Sequence, residues 1–338
     1  MRVFRTLLKL TIALVLTGAI VAVSGWWWAT RTFEAPGPLP QDTTVIIPKG
    51  AGLARITTAL AEAGVIAGDQ IHRTLFTVGV KASGQSASLH AGEYRFPAGL
   101  SMRQALDMLA AGKVVVRSLT IAEGLTTPAV LTLVAAAEGL EGDLPAPPAT
   151  GDLLPETYHY SWGDSREVMV RRMRDAMRRT VADLWEKRAP DLPLKSPEEA
   201  LVLASIVEKE TGIAAERPRV AAVFINRLRK GMRLQSDPTV IYGLAPETGN
   251  LGRALTRRDL ESQTAHNTYV IDRLPPTPIA NPGRAAIEAV LNPISTRDLY
   301  FVADGSGGHA FAETLEQHNR NVAHWRRIQR GQANGTGN

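Results

Sequence analysis

The chain has 338 residues, 44% of them hydrophobic, a formal net charge of +5 and no cysteine. Without thiols there is no disulfide framework, cysteine nucleophile or cysteine-based metal site, and the redox compartment stays open. The length allows one or two substantial cores, and the mild basicity suits an anionic polymer or a membrane surface without demanding either.

The chain begins MRVFRTLLKLTIALVLTGAIVAVSGWWWATR. Arg2, Arg5 and Lys9 precede about nineteen uncharged residues from Leu10 to Trp28, the length of a helix crossing a hydrocarbon core. Residues 1–9 are therefore expected as a cytoplasmic tail and 10–28 as a transmembrane anchor, with the remainder exported, because basic flanks stay inside. Trp26, Trp27 and Trp28 suit the outer interface. A cleaved signal peptide is the competing reading, since Ala22-Val23-Ser24 resembles a small-x-small cleavage site. Either reading removes nucleic acid as a partner. PGPLPQ then makes 29–42 a stiff, Pro-rich linker.

Residues 43–122 read as a small α+β module. TTVIIP alternates as a strand, LARITTALAEAGVI is an amphipathic helix, and GEYRFPAG is a second strand and turn. Ser101 caps a helix over MRQALDMLAAG, and KVVVRSLTIAEG is a further strand. A Pro/Gly-rich break at 140–152 precedes the long helix SREVMVRRMRDAMRRTVADLWEKR. Met169, Met173, Met177, Val181 and Leu184 form its apolar stripe, with arginines on the other faces. Further on, LYFVADGSGGHAFA is a hairpin around a Gly-rich turn, and no helix follows to make it a phosphate loop. Residues 331–338 are expected as a disordered tail.

The chemistry centres on ASIVEKETG, residues 204–212. Ser196-Pro197-Glu198-Glu199 is a helix start with a capping box, and Gly212 suits its end. Helical spacing sets Glu210 behind Leu203, Ile206 and Val207, and turns Glu208 to nearly the opposite side. A carboxyl in the last turn feels the negative end of the macrodipole, and partial burial adds to that, so both favour the protonated form of a general acid. Lys209 or a nearby arginine would oppose them. The competing reading is a surface glutamate where the helix emerges. His309, Glu313 and His318 lack the spacing of a zinc motif, and no G-x-S-x-G elbow occurs.

The stretches ASIVEKETGIAAERPRVAAVFINRLRKGMRLQSDPTVIYGL, HNTYVIDRLPPTPIANPG and LYFVADGSGGHAF resemble the endolytic murein transglycosylases, the MltG/YceG-like family. The likeness covers most of the chain and is densest from Leu201 to Phe311. It implies an α+β protein with one membrane span, a LysM-like module over 43–122 and a helix-rich catalytic domain over 123–330. The implied activity is cleavage of nascent peptidoglycan in the periplasm from the inner membrane, beside penicillin-binding synthases, without metal or organic cofactor. Lytic transglycosylases carry a catalytic glutamate followed by Ser or Thr on a helix, so Glu210-Thr211 matches and Glu208-Lys209 does not. Asn226, Gln235, Asp237, Asn267 and Tyr269 serve equally as substrate contacts or as scaffold, and GDLLPETYHY, which also resembles a family segment, adds Glu156 and Tyr158 as secondary groove candidates. Two rival readings stay open. One is a hydrolytic muramidase with Asp237 or Glu208 as second carboxylate, the other a wall-binding scaffold without catalysis.

Overall fold

The computed structural model describes residues 2–335, with side chains over 4–330. The fold is α+β and the chain divides into two compact units. Unit 1 holds the residues up to Arg117 together with His159–Asp164, and unit 2 holds Ser118–Tyr158 and everything from Ser165 on.

In unit 1, helix α1 (Arg2–Glu34) leads to strand β1 (Thr43–Ile47), helices α2 (Leu53–Glu62) and α3 (Gln70–Ala82), strand β2 (Gly92–Phe96) and helix α4 (Met102–Ala110). β1 and β2 pair antiparallel, Thr43 opposite Phe96 and Ile47 opposite Gly92. One face of this two-stranded sheet meets the helices through Ile47, Tyr94, Phe96, Leu60, Phe76 and Leu106, all at most 2% exposed. Ser101 caps α4 as expected, and Gln104 completes a capping box with it. Unforeseen in the sequence is α3, which Asp69 starts by accepting from the Ile71 and His72 amides.

Two segments depart from expectation. The anticipated linker 29–42 is helical as far as Glu34, and its Phe33 and Leu39 are 5% and 4% exposed within the unit 1 core. The helix stops before Pro36 and the prolines keep non-helical backbone, while Phe33 and Leu39, on either side of Pro36, bury apolar surface in the unit 1 core. At the other end helix α12 includes residues 331–335 of the expected disordered tail, while 336–338 lie outside the described residues.

Strand β3 (Val116–Thr120) leads into unit 2, whose elements are α5 (Thr127–Ala136), α6 (Arg166–Glu186), α7 (Pro197–Glu210), α8 (Arg217–Arg229), α9 (Asp237–Leu244), α10 (Arg257–Leu260), α11 (Arg284–Leu291), the hairpin β5 (Tyr300–Ala303) and β6 (His309–Ala312), and α12 (Leu315–Gly335). Strand β4 (Thr157–Ser161) spans the second boundary between the units. α7 is the axis of unit 2: Ala200, Leu203, Ala204, Ile206 and Val207 are fully buried against α6, α8 and α11. The methionine stripe of α6 is buried as the spacing predicts. β5 and β6 pair with Ala303 opposite His309, and Gly305 and Gly307 take the left-handed conformations of the turn. At the start of α7 Ser196 Oγ accepts from Glu199 N at 3.3 Å, but the Glu199 carboxylate accepts from Lys195 N at 2.8 Å, one residue before the cap, so the expected capping box does not close. The helix ends one residue early. Thr211 is already extended, and Gly212 has no left-handed conformation to contribute.

Candidate active site

Glu210 is the last residue of α7 and faces a cavity of about 320 Å³. Arg227 from α8, Gln235 and Asp237 from the start of α9, Tyr269, and Phe301 of the hairpin share its wall. Phe224 and Phe301 meet edge to face at 5.8 Å and close the apolar side.

The carboxyl is held by Ser236, whose Oγ donates to Glu210 Oε1 at 2.5 Å. Ser236 is 1% exposed, and its own amide donates to Thr268 Oγ1 at 2.9 Å. Gln235, with φ 49, makes the left-handed turn that aims Ser236 inward. A non-glycine residue there stores about 1 kcal/mol of strain.

Burial raises the Glu210 carboxyl from 4.5 to about 7. The Ser236 bond opposes this by favouring the ionised form, the charge of Asp237 adds to it, and Arg227 and a protonated His309 oppose it. Lys209, the anticipated competitor, instead reaches the Gly124 carbonyl at 3.3 Å. The shift runs in the direction expected of a half-dry carboxyl at a helix end. Ser236→Ala removes a bond to the ionised form and should move the Glu210 titration up by about 1 pH unit, read by carbon NMR of that carboxyl.

The raised value also sets a pH dependence of stability. Between pH 4.5 and about 7 the folded chain holds a proton at Glu210 that the unfolded chain has released. Stability is thus greatest below that window and falls as pH rises through it, by about 3 kcal/mol in all. Glu210→Gln abolishes the loss. Denaturant titrations should show the variant gaining on the parent at about pH 8 and matching it at about pH 4.

Of the other sequence candidates, the structure gathers Gln235, Asp237 and Tyr269 around Glu210. Tyr269 donates its hydroxyl to Asp237 Oδ1 at 2.6 Å, so Asp237 is a bonded member of the cavity wall and not a helix cap. The others do not line that cavity. The Asn226 amide donates to the Thr296 and Asp298 carbonyls at 2.8 and 3.1 Å. Asn267 is fully buried and donates to the Leu260 and Ser262 carbonyls at 2.9 and 2.7 Å. Tyr158 is buried with its hydroxyl on the Leu154 carbonyl at 2.7 Å, and Glu156 is exposed outside the cavity wall.

Glu208 is tied into structure elsewhere. It accepts from Gly283 N at 2.9 Å and lies 3.6 Å from the buried Arg217. Burial raises its carboxyl too, but no part of it lines the cavity of Glu210.

Sequence reasoning passed over Ser236 and Arg227. Ser236 sits between two residues that were singled out, and that adjacency was its only signal. Arg227 is 7% exposed and spends its guanidinium on the Leu299 and Leu234 carbonyls at 2.7 and 2.6 Å, a fixed positive charge beside the cavity. No group of three or more metal-binding side chains occurs among the described residues.

The fold and site thus define an α+β protein with a single acid poised at the end of a buried helix. The chain belongs to the YceG-like family, whose pattern it matches over residues 45–324. It is 34% identical over 178 residues to the endolytic murein transglycosylase of Bacillus subtilis, covering 51% of this chain and 47% of that protein. To the endolytic murein transglycosylase of Streptococcus pneumoniae it is 26% identical over 358 residues, covering 90% of this chain and 63% of that protein. The chain therefore spans about half to under two thirds of these relatives. A crystal structure of a YceG-like protein from Listeria monocytogenes superposes with a TM-score of 0.52 at 30% identity, covering 83% of this chain and 98% of that one.

Proposed function

We propose that the protein is an endolytic peptidoglycan transglycosylase with Glu210 as its one catalytic acid. The observation that carries this is a carboxyl on a cavity wall that burial raises to about 7, in a chain whose curated relatives bear that name.

Glu210 protonates the β-1,4 glycosidic oxygen between N-acetylmuramic acid and N-acetylglucosamine. The bond breaks, the N-acetylglucosamine end leaves as an alcohol, and positive charge develops at the muramyl anomeric carbon. The carboxylate, stabilised by the Ser236 hydroxyl and the Arg227 charge, then takes the proton of the same sugar's C6 hydroxyl. That oxygen closes on the anomeric carbon as a 1,6-anhydro ring, and Glu210 is protonated again. One carboxylate serves both steps, whereas hydrolases set two across the bond. Gln235, Asp237 and Tyr269 are the substrate-contacting candidates that this reading keeps.

Asp237, on the same wall, favours one rival, a muramidase that admits water. Mass spectrometry of digested peptidoglycan separates them. Anhydro-muramyl ends are expected, and reducing ends in their stead would replace transglycosylation by hydrolysis.

α1 is long and apolar enough to cross a membrane once. Its basic N-terminal flank supports a cytoplasmic N-terminus, a periplasmic catalytic unit and inner-membrane residence beside the synthases that supply the strands. The β1-α2-α3-β2 order of unit 1 supports the LysM-like, glycan-binding reading of that module.

A further inference from the structure

We propose that the outward face of α3 lies in the headgroup layer of the bilayer, so that unit 1 rests on the membrane surface. This rests on reading α1 as a membrane span, and three observations carry it.

The first is rigidity. α1 does not hand over to a loose tether. Phe33, in its last turn, stacks on Phe76 of α3 at 6.3 Å, beneath the Arg103 guanidinium at 5.1 Å. Gly79 of α3 makes room for that ring, since a Cβ there would come within 2.5 Å of it. After the helix, Gly37 N donates to the Leu100 carbonyl at 3.1 Å. The anchor and α3 therefore move as one piece.

The second is depth. Trp28 closes the uncharged run, and it shares a surface recess of about 340 Å³ with Ile71, Thr74, Leu75 and Val78 of α3. The tryptophan cluster belongs at the membrane–water boundary. From Trp28 to the buried Phe33 the helix rises only about 7.5 Å, about the thickness of one headgroup layer. α3, alongside Trp28, is at the same level.

The third is chemistry. Ile71 and Val78 are 61% and 55% exposed, and with Leu75 they form an i, i+4, i+7 stripe. The opposite side of the helix is core, with Phe76 and Val80 fully buried. Arg73 and Lys81 line the adjoining recess that Val78 shares, and the carboxylate of Asp69 is occupied by the α3 amides and the His72 ring. An apolar stripe flanked by cations is what lies flat in the headgroup–acyl boundary of an anionic membrane. The occupant is phospholipid.

The test uses the full chain in vesicles of phosphatidylethanolamine and phosphatidylglycerol. Because the chain has no cysteine, single substitutions Ile71→Cys, Val78→Cys and Val21→Cys each carry one environment-sensitive fluorophore. We expect labels at 71 and 78 to lose fluorescence to a nitroxide near the headgroup end of the acyl chains and to resist aqueous iodide. Iodide quenching at 71 and 78, with the label at 21 quenched by lipid nitroxide, would overturn the membrane contact while leaving the anchor standing. Protection from both quenchers would mean a protein cover, and overturns it too. An iodide-accessible label at 21 would remove the anchor itself, and the contact with it.

Discussion

Glu210→Gln should lower kcat/KM for glycan-strand cleavage by about 10²–10⁴-fold or more, with binding of uncleaved strands nearly unchanged. The amide keeps the shape of the side chain, and its carbonyl still accepts from Ser236, but it has no proton to give. In the parent the rate should fall tenfold per pH unit above about 7, as the acid ionises. Glu208→Gln separates chemistry from scaffold. It removes the charge facing the buried Arg217 and weakens the fold, while the molecules that remain folded should cleave at the parental rate. Parental cleavage by the Glu210 variant would end the assignment and move the acid to another residue, whereas no cleavage by the parent itself would leave the non-catalytic wall scaffold as the reading to pursue.

What the sequence revealed of this site was what a single helix carries within itself. Ser196 and Pro197 announce the start of α7, and the positions of Leu203, Ile206 and Val207 give the side toward which Glu210 turns. Capping and periodicity are local, so they survive without the rest of the fold. The partner of Glu210 is not local. Ser236 comes 26 residues later and is aimed by the backbone of Gln235 and by Thr268, neither of which advertises that role. Asn226 and Asn267 were ambiguous for another reason. An amide that looks right for an N-acetyl sugar looks equally right for two loose carbonyls, and the buried carbonyls had first claim. α3 was missed because its apolar residues serve two masters: Phe76 and Val80 the core, Ile71 and Val78 the outside. That spread blurs the single-sided period by which a helix is read. The same blur, once the fold is known, is the signal of a second apolar environment.

The helix that presents Glu210 is also braced by a residue outside its cavity wall. Asn281 is fully buried and joins three stretches of unit 2. Its Oδ1 accepts from Gly151 N and Leu153 N at 2.9 and 3.0 Å, and its Nδ2 donates to the Leu125 carbonyl at 2.9 Å. Two residues on, Gly283 N holds Glu208, and Ser205 of α7 accepts from Ile279 N at 2.9 Å, so this segment braces the helix that presents Glu210. Asn281→Ala strands two buried amide donors at once, while the Leu125 carbonyl keeps the backbone amide of residue 281 at 2.8 Å. The expected cost is about 3–5 kcal/mol, since each orphaned buried group costs about 1–3. Asn281→Asp distinguishes lost bonds from lost packing. A protonated aspartic acid offers an acceptor to the two amides and a donor to the Leu125 carbonyl, whereas the ionised form turns a charged oxygen against that carbonyl. Folding therefore raises the pKa of the new acid above its unfolded value of about 3.9. Its stability should approach the parent's below about pH 4 and fall as pH rises through the folded pKa, while Asn281→Ala stays destabilised throughout. Equal loss in both variants at every pH, measured by chemical denaturation, would assign the cost to packing and remove Asn281 as the polar brace of α7.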